Sequence, residues 1–155
     1  ARVPLRETSL GDRFLIGDGA SVRVVHPPSQ GMGQTENADS ILLEIVAAGR
    51  RLLLTGDLAS PGLDAVVAVQ SDPFDAIMIP HHGSATSNPA IFADWTKPHW
   101  AIISGDLAHD SRIAVAAYQN AGAIVLNTAT AGAVHIAIAP DGAIHLDCFR
   151  HGDRW

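Results

Sequence analysis

One cysteine, Cys148, stands among 155 residues, so no internal disulfide can form; the count says little about redox compartment. Basic charge is scarce as well. Ten Lys and Arg face sixteen Asp and Glu, a net charge of −6 with eight histidines uncounted. That sign is wrong for a stand-alone nucleic-acid binder, which carries a basic face. It leaves open a nucleic-acid substrate held through bound cations. Arg50-Arg51 and the scattered tail arginines read as solvated surface and not as a separate DNA-binding patch. Long apolar runs are missing too. Ile113 to Pro140 lacks Asp, Glu, Lys and Arg, but Gln119, Asn120, Gly122, Asn127, Thr128, Thr130, Gly132 and His135 interrupt it. A membrane helix needs ~20 mostly apolar residues in a row. There is no visible signal peptide, no internal repeat and no low-complexity segment. The first residue is Ala, not Met, which raises the expectation of a piece cut from a longer protein.

What is present is enough for a core. Apolar residues make up 47% and charged residues 17%, the balance of a folded domain and not of a disordered chain. The expected organisation is one domain over 1–149 with a poorly ordered tail over 150–155.

Two stretches organise the rest: Leu52-Leu53-Leu54-Thr55-Gly56-Asp57-Leu58 and Asp75-Ala76-Ile77-Met78-Ile79-Pro80-His81-His82-Gly83-Ser84. Each is an apolar run that stops in polar, metal-ligating residue types. Read as strands, Arg51–Thr55 and Ala76–Ile79 are expected to be buried on both faces, because neither alternates with polar residues. A buried strand that ends in Asp or in His-His delivers those groups to the rim of a sheet, where ligands collect in open α/β folds.

Along the chain, short strands are expected at Val3–Arg6 and Arg13–Ile16, and a half-buried one at Ala20–Val25, ended by His26-Pro27-Pro28. Ser40–Ala47 and Arg51–Thr55 form a hairpin through a three-residue loop, Ala48-Gly49-Arg50. Ser60-Pro61 reads as an N-cap with proline at the first helical position, opening a helix to about Gln70. Asp75–Pro80 is a strand. Ser87-Asn88-Pro89 opens a helix to about Thr96, Trp100–Ser104 is a strand, and Asp110 or Ser111 caps a helix to about Ala121. Ile113, Ala116, Ala117 and Asn120 lie on one side of that helix, and Gly122 is its C-cap. Strands at Ile124–Leu126, Ala133–Ala139 and Ala143–Leu146 follow, the last two joined through Pro140-Asp141-Gly142. Strands with helices interspersed mean a layered α/β architecture.

Gly56-Asp57 alone is a common turn. His81-His82-Gly83-Ser84 after an apolar strand is more specific. Adjacent residues of an extended chain point opposite ways, so one histidine is expected to ligate an ion and the other to support the ligands from behind or face substrate. Gly83 lets the backbone approach an ion or phosphate closely. Ser84, Thr86 and Ser87 are small donors placed for an anionic group. Asp57 with one of the histidines is the expected metal site.

These residues carry a family resemblance. Leu53-Leu54-Thr55-Gly56-Asp57-Leu58 and Asp75 through Ser87 resemble the metallo-β-lactamase-like domain of ComEC-type DNA-uptake proteins. Asn37-Ala38-Asp39-Ser40, Pro98-His99-Trp100-Ala101-Ile102-Ile103-Ser104, and Thr128 with Gly132-Ala133-Val134 fit the same pattern. The resemblance runs from about Leu10 to about Leu146. It implies an αββα sandwich with a two-metal site at one sheet edge. It implies metal ligation by Asp57 and His81, catalytic roles for Asp57 and His82, and substrate contacts from Ser84 and Ser87. The implied cofactors are two divalent ions, zinc or manganese, and the implied reaction is hydrolysis of a DNA phosphodiester. The implied partners are DNA as substrate and an upstream membrane channel region of the same protein, at the bacterial inner membrane.

The superfamily's His-x-His-x-Asp-His motif is absent. The expectation is therefore that this chain is the C-terminal portion of the domain and that the motif lies upstream. The alternatives are another ester hydrolase of the same fold, or a metal-free binding or scaffold module. Alone, two ligands hold ions weakly or not at all, since zinc sites have at least three protein ligands. Gly105 to Ser111 replaces the Asn and Gly-His-Pro of relatives, and His109 there reads as a loop histidine. His26, His99, His135 and His145 read as packing or surface residues.

Overall fold

The computed structural model describes residues 7–17, 19–33, 35–106 and 111–150. The strand expected at Val3–Arg6, His109, Asp110 and the tail beyond Arg150 lie outside them. Seven strands form one mixed sheet in sequential order: β1 (Arg13–Ile16), β2 (Ala20–His26), β3 (Leu42–Ala47), β4 (Arg50–Leu54), β5 (Ala76–Met78), β6 (Trp100–Ile103) and β7 (Ile124–Asn127). β1 to β4 run antiparallel, and β4 to β7 run parallel. A separate two-stranded antiparallel sheet holds β8 (Ala133–Ile138) and β9 (Ile144–Phe149).

Three helices carry the parallel crossovers: α1 (Gly62–Val67), α2 (Ala90–Thr96) and α3 (Ser111–Asn120). Crossovers of this kind are right-handed. With strands added always in the same direction, one hand puts all three helices on one face of the sheet. The core cluster has that composition: Leu53, Ile77, Ala101 and Ile103 from alternate strand positions, with Leu63, Val66, Phe92, Ala93 and Tyr118 from the helices.

The other face is different. Leu52, Leu54, Met78 and Ile102 form the floor of an apolar groove of about 330 Å³, with Val134 and Ile136 of β8 lining it as well. Leu54 stays 37% exposed. β4 is therefore not covered on both faces, as its unbroken apolar sequence led one to expect, whereas β5 is close to it: Ala76, Ile77 and Ile79 are buried and Met78 is half-buried. An apolar run records what both faces could bury, not what lies against them.

Local differences have local causes. Ala47 pairs with Arg50, so the β3–β4 loop has two residues, not three. Ala48 and Gly49 both sit at positive φ, 45° and 77°; that turn hand matches the twist of the strands it joins. Ser60 does not cap α1. Pro61 is already in the right-handed helical region at the N-cap position and no side chain caps there. α1 also stops at Val67, not Gln70. α3 buries Ala114 and Tyr118, whereas Ile113 is 56% exposed. Its core stripe thus runs through the small alanine and the long tyrosine. α4 (Thr128–Ala131) stands between the strands expected at Ile124–Leu126 and Ala133–Ala139, where no helix was expected, and Asn127 caps it by accepting the Ala129 N–H at 2.8 Å.

Glu44 of β3 shares the core face with its cross-strand partner Leu53. Its carboxylate accepts from Arg23 Nε and Arg51 Nε, both at 2.7 Å. Burial alone pushes the acid's pKa up, but the combined hydrogen bonds and charges of Arg51 and Arg23 outweigh it and hold it below the ordinary value of 4.5. A folded-state pKa below the unfolded one adds stability that is present above the ordinary carboxylate range and is lost as pH falls through the folded value. Arg23 and Arg51 are themselves partly in water, so the pair is screened. Glu44→Gln is expected to lower stability at pH 7 by about 1–2 kcal/mol and to flatten the acid side of the profile. Urea midpoints taken at pH 7 and at successive steps below pH 5 check both effects.

Candidate functional site

The site lies at the C-terminal ends of β4 and β5. Thr55, fully buried, donates its hydroxyl to the Met78 carbonyl at 2.6 Å and ties the two strand ends together. Gly56 then turns at φ 54° and presents Asp57. The carbonyl of Gly56 accepts the N–H of His81 at 3.0 Å. Both loops are thus fastened at their bases.

After Ile79 the chain enters a tight 3-10 turn, Pro80–Gly83. Within it His81 (φ 48°, ψ 51°) and His82 (φ 53°, ψ 22°) are left-handed, and Gly83 follows at φ 85°. The left-handed region costs an L-residue roughly 1–2 kcal/mol. Consecutive strained residues persist only where surroundings hold them, and such strain concentrates at functional sites.

The two imidazoles diverge. His82 Nδ1 lies 2.5 Å from the Ser104 carbonyl. A carbonyl only accepts, so Nδ1 carries the proton and Nε2 of the neutral ring keeps its lone pair. That Nε2 stands 3.9 Å from Asp57 Oδ1, with the two side chains 65% and 48% exposed. The gap is too long for a direct hydrogen bond. It suits two groups that share an atom between them, since zinc donors sit about 2.0–2.2 Å from the ion. His81 turns the other way, its Nδ1 at 3.3 Å from Ser87 Oγ.

The structure therefore brings together Asp57 and His82, and separately His81 and Ser87. Ser84 stands at the rim, its hydroxyl 3.0 Å from that of Thr86. Ser87 is fully buried, so it braces His81 from beneath the turn and is not open to substrate as the expected contact requires. Ser104 closes the site from the end of β6, and Gly105 N–H donates to Thr128 Oγ1 at 3.2 Å. The Asn37–Ser40 segment reaches the same end, where the Asn37 carbonyl accepts from Ala59 N–H at 3.1 Å. Of the other histidines, His26 is buried against the Ala38 carbonyl at 2.7 Å. His99 packs edge-on to Trp100, and His135 faces Asp147 at 4.0 Å on an exposed surface.

Sequence reasoning missed the residues that hold the turn. Asn88 and Tyr118 are both fully buried. The Asn88 amide donates to the carbonyls of Pro80 and Ser84 at 2.9 and 2.7 Å, and its oxygen accepts from Tyr118 Oη at 3.1 Å. Asn88-Pro89 read as a helix opening, and nothing in the local sequence linked it to a tyrosine thirty positions on. Among the described residues no group of three or more His, Cys, Asp and Glu stands close enough to hold an ion. The donors present match divalent-metal chemistry in kind, an acceptor-only carboxylate beside a poised imidazole, but fall short in number.

With that geometry in view, the class is a mixed α/β domain with a carboxylate–imidazole pair on the rim of its parallel strands. The chain is 32% identical over 95 residues to the competence protein ComA of Neisseria gonorrhoeae. The match covers 60% of this chain and 14% of that protein. The likeness supports a relationship to competence proteins. No family model matches. Among the described residues no helix is long and apolar enough to cross a membrane.

Proposed function

We propose that this chain is the C-terminal portion, over 1–149, of a metallo-β-lactamase-like domain that hydrolyses DNA phosphodiesters beside a competence uptake channel of the bacterial inner membrane. The approach of His82 to Asp57 at the ends of two adjacent parallel strands carries this reading. The likeness to a competence protein favours DNA as the substrate. Two divalent ions, zinc or manganese, would supply an activated water and a clamp on the phosphate oxygens when bound. The remaining ligands are assigned to residues upstream.

The chain's own residues have separate roles. Asp57 offers an anionic oxygen to the shared position. His82 faces it with a lone pair fixed by the Ser104 carbonyl. His81, steadied by Ser87, turns away from that position and offers its imidazole to a neighbouring ion. The hydroxyls of Ser84 and Thr86 donate to non-bridging phosphate oxygens.

The test sets this chain beside a longer version that includes the upstream residues. Elemental analysis should find little zinc or manganese in the short protein and close to stoichiometric metal in the long one. Single-stranded DNA with added manganese should be cut by the long protein and left intact by the short one. A long protein that neither retains metal nor cuts DNA refutes the assignment.

A further inference from the structure

The left-handed His81-His82 pair needs an agent that holds it, and one side chain is placed to do so. Asn88 sits just beyond the turn, fully buried. Its amide nitrogen spends both protons on the carbonyls that bracket the histidines, Pro80 before them and Ser84 after them. An amide that grips the first residue of the turn and the residue just after it fixes the span of the five positions from Pro80 to Ser84, and the left-handed φ values are accommodated within that span. The grip must itself be oriented. An amide flipped about its last torsion would aim its oxygen at two carbonyls. Tyr118 of α3 prevents this, because its hydroxyl donates to Asn88 Oδ1 at 3.1 Å. Burial pushes the Tyr118 phenol far up from its ordinary value, so it stays a donor throughout the working pH range.

We infer that Asn88, oriented by Tyr118, is the positioning residue of the site. It sets the left-handed turn that turns His82 Nδ1 to the Ser104 carbonyl and leaves Nε2 facing Asp57. The inference rests on the reading of the turn as functional, but it concerns this chain's own geometry and needs neither metal nor DNA to test. It makes helix α3 part of the site through the buried Tyr118 hydroxyl. Among the described residues no other side chain bonds to the carbonyls of both Pro80 and Ser84, so the work of shaping the turn falls on one amide.

The experiment follows the neutral His82 ring by long-range 1H–15N correlation at a pH where it is uncharged, and amide exchange at His81 and Ser84. Both of those N–H groups are bonded within the turn region, His81 to Gly56 O and Ser84 to His81 O. In the wild-type chain His82 should be the Nδ1–H tautomer. In Tyr118→Phe, which keeps the ring and removes only the hydroxyl, exchange at His81 and Ser84 should speed up about tenfold beyond the global change, the scale of one lost buried hydrogen bond. Asn88→Asp should do more: a carboxyl in place of the amide loses both donors to the carbonyls, and His82 should become a tautomer mixture. Val66→Ala is the control, a core change in α1 that lowers stability, and none of the Asn88 and Tyr118 hydrogen bonds involves that helix. It should speed exchange evenly and leave the tautomer alone. If Asn88→Asp fails to fold, Tyr118→Phe decides. A variant pair that keeps the Nδ1–H tautomer and the wild-type local protection overturns the inference. Because none of these readouts involves cleavage, a failed nuclease assay and a failed positioning role remain separate results.

Discussion

Gly62→Ala should cost more than about 3 kcal/mol and leave little folded protein. A Cβ at this position would lie 2.1 Å from the Ala38 carbonyl oxygen, 3.0 Å from its carbon and 2.9 Å from His26 Nε2. Ala38 belongs to a short 3-10 turn, Glu36–Asp39, that cannot recoil freely. Its carbonyl is bonded to His26, and its neighbour Asn37 accepts from Ala59. The methyl must therefore displace either backbone or a buried imidazole. Alanine would gain up to about 1 kcal/mol in helix propensity. Overpacking typically costs about 1–3 kcal/mol and more where backbone must move, against a total stability of roughly 5–15 kcal/mol. The clash wins. Far-UV circular dichroism and urea unfolding read the result directly, and a Gly62→Ala protein as stable as the parent would mean that α1 does not rest on the Ala38 carbonyl.

Asp57→Ala in the longer, metal-loaded protein should reduce DNA cleavage by at least about a hundredfold while folding is nearly unchanged. Changes to metal-site supporting groups already cost about 10–100-fold, and a shared anionic ligand stands closer to the chemistry than those do. Stability should move by no more than about 0.5 kcal/mol, because the carboxylate is half exposed and its one described partner, His82, is 3.9 Å away. Asp57→Asn separates charge from shape and should lose nearly as much activity. Cleavage rates within a few-fold of the parent for both variants would remove Asp57 from the mechanism.

The parallel half of the fold was legible because its signals are local. Apolar runs at Leu52 to Leu54 and Ala76 to Ile79, each followed by a helix with a proline near its start, place β4, β5, α1 and α2 within a few residues. Glycine and proline punctuation placed the β8–β9 hairpin. The α3 stripe departs from the hydropathy pattern: Ile113 is the most apolar residue there, whereas burial falls on Ala114 and Tyr118. Periodicity ranks side chains by hydropathy; packing against α2 and β7 selects by shape and by reach.

The rim residues Asp57, His81 and His82 were visible because polar groups at the end of an apolar run are conspicuous. Their division of labour was not. Which imidazole faces Asp57 depends on two left-handed residues, on the Ser104 carbonyl from β6 and on an asparagine oriented by α3. Those relations join positions twenty or thirty residues apart, and no single window of sequence holds them. The extended-chain rule that adjacent side chains point oppositely does not govern His81 and His82, because neither is extended. The rings diverge all the same, through the turn that Asn88 spans.

The groove beneath β8 has a practical corollary for anyone handling the chain alone. Leu52, Leu54, Met78 and Ile102 line an apolar groove in which Leu54 is the exposed member, and open apolar surface is where chains recruit one another. Concentrated samples should cloud well below the melting transition, and amphiphilic additives should clear them. Lost material in such preparations would be a colloidal matter, independent of anything that happens at Asp57.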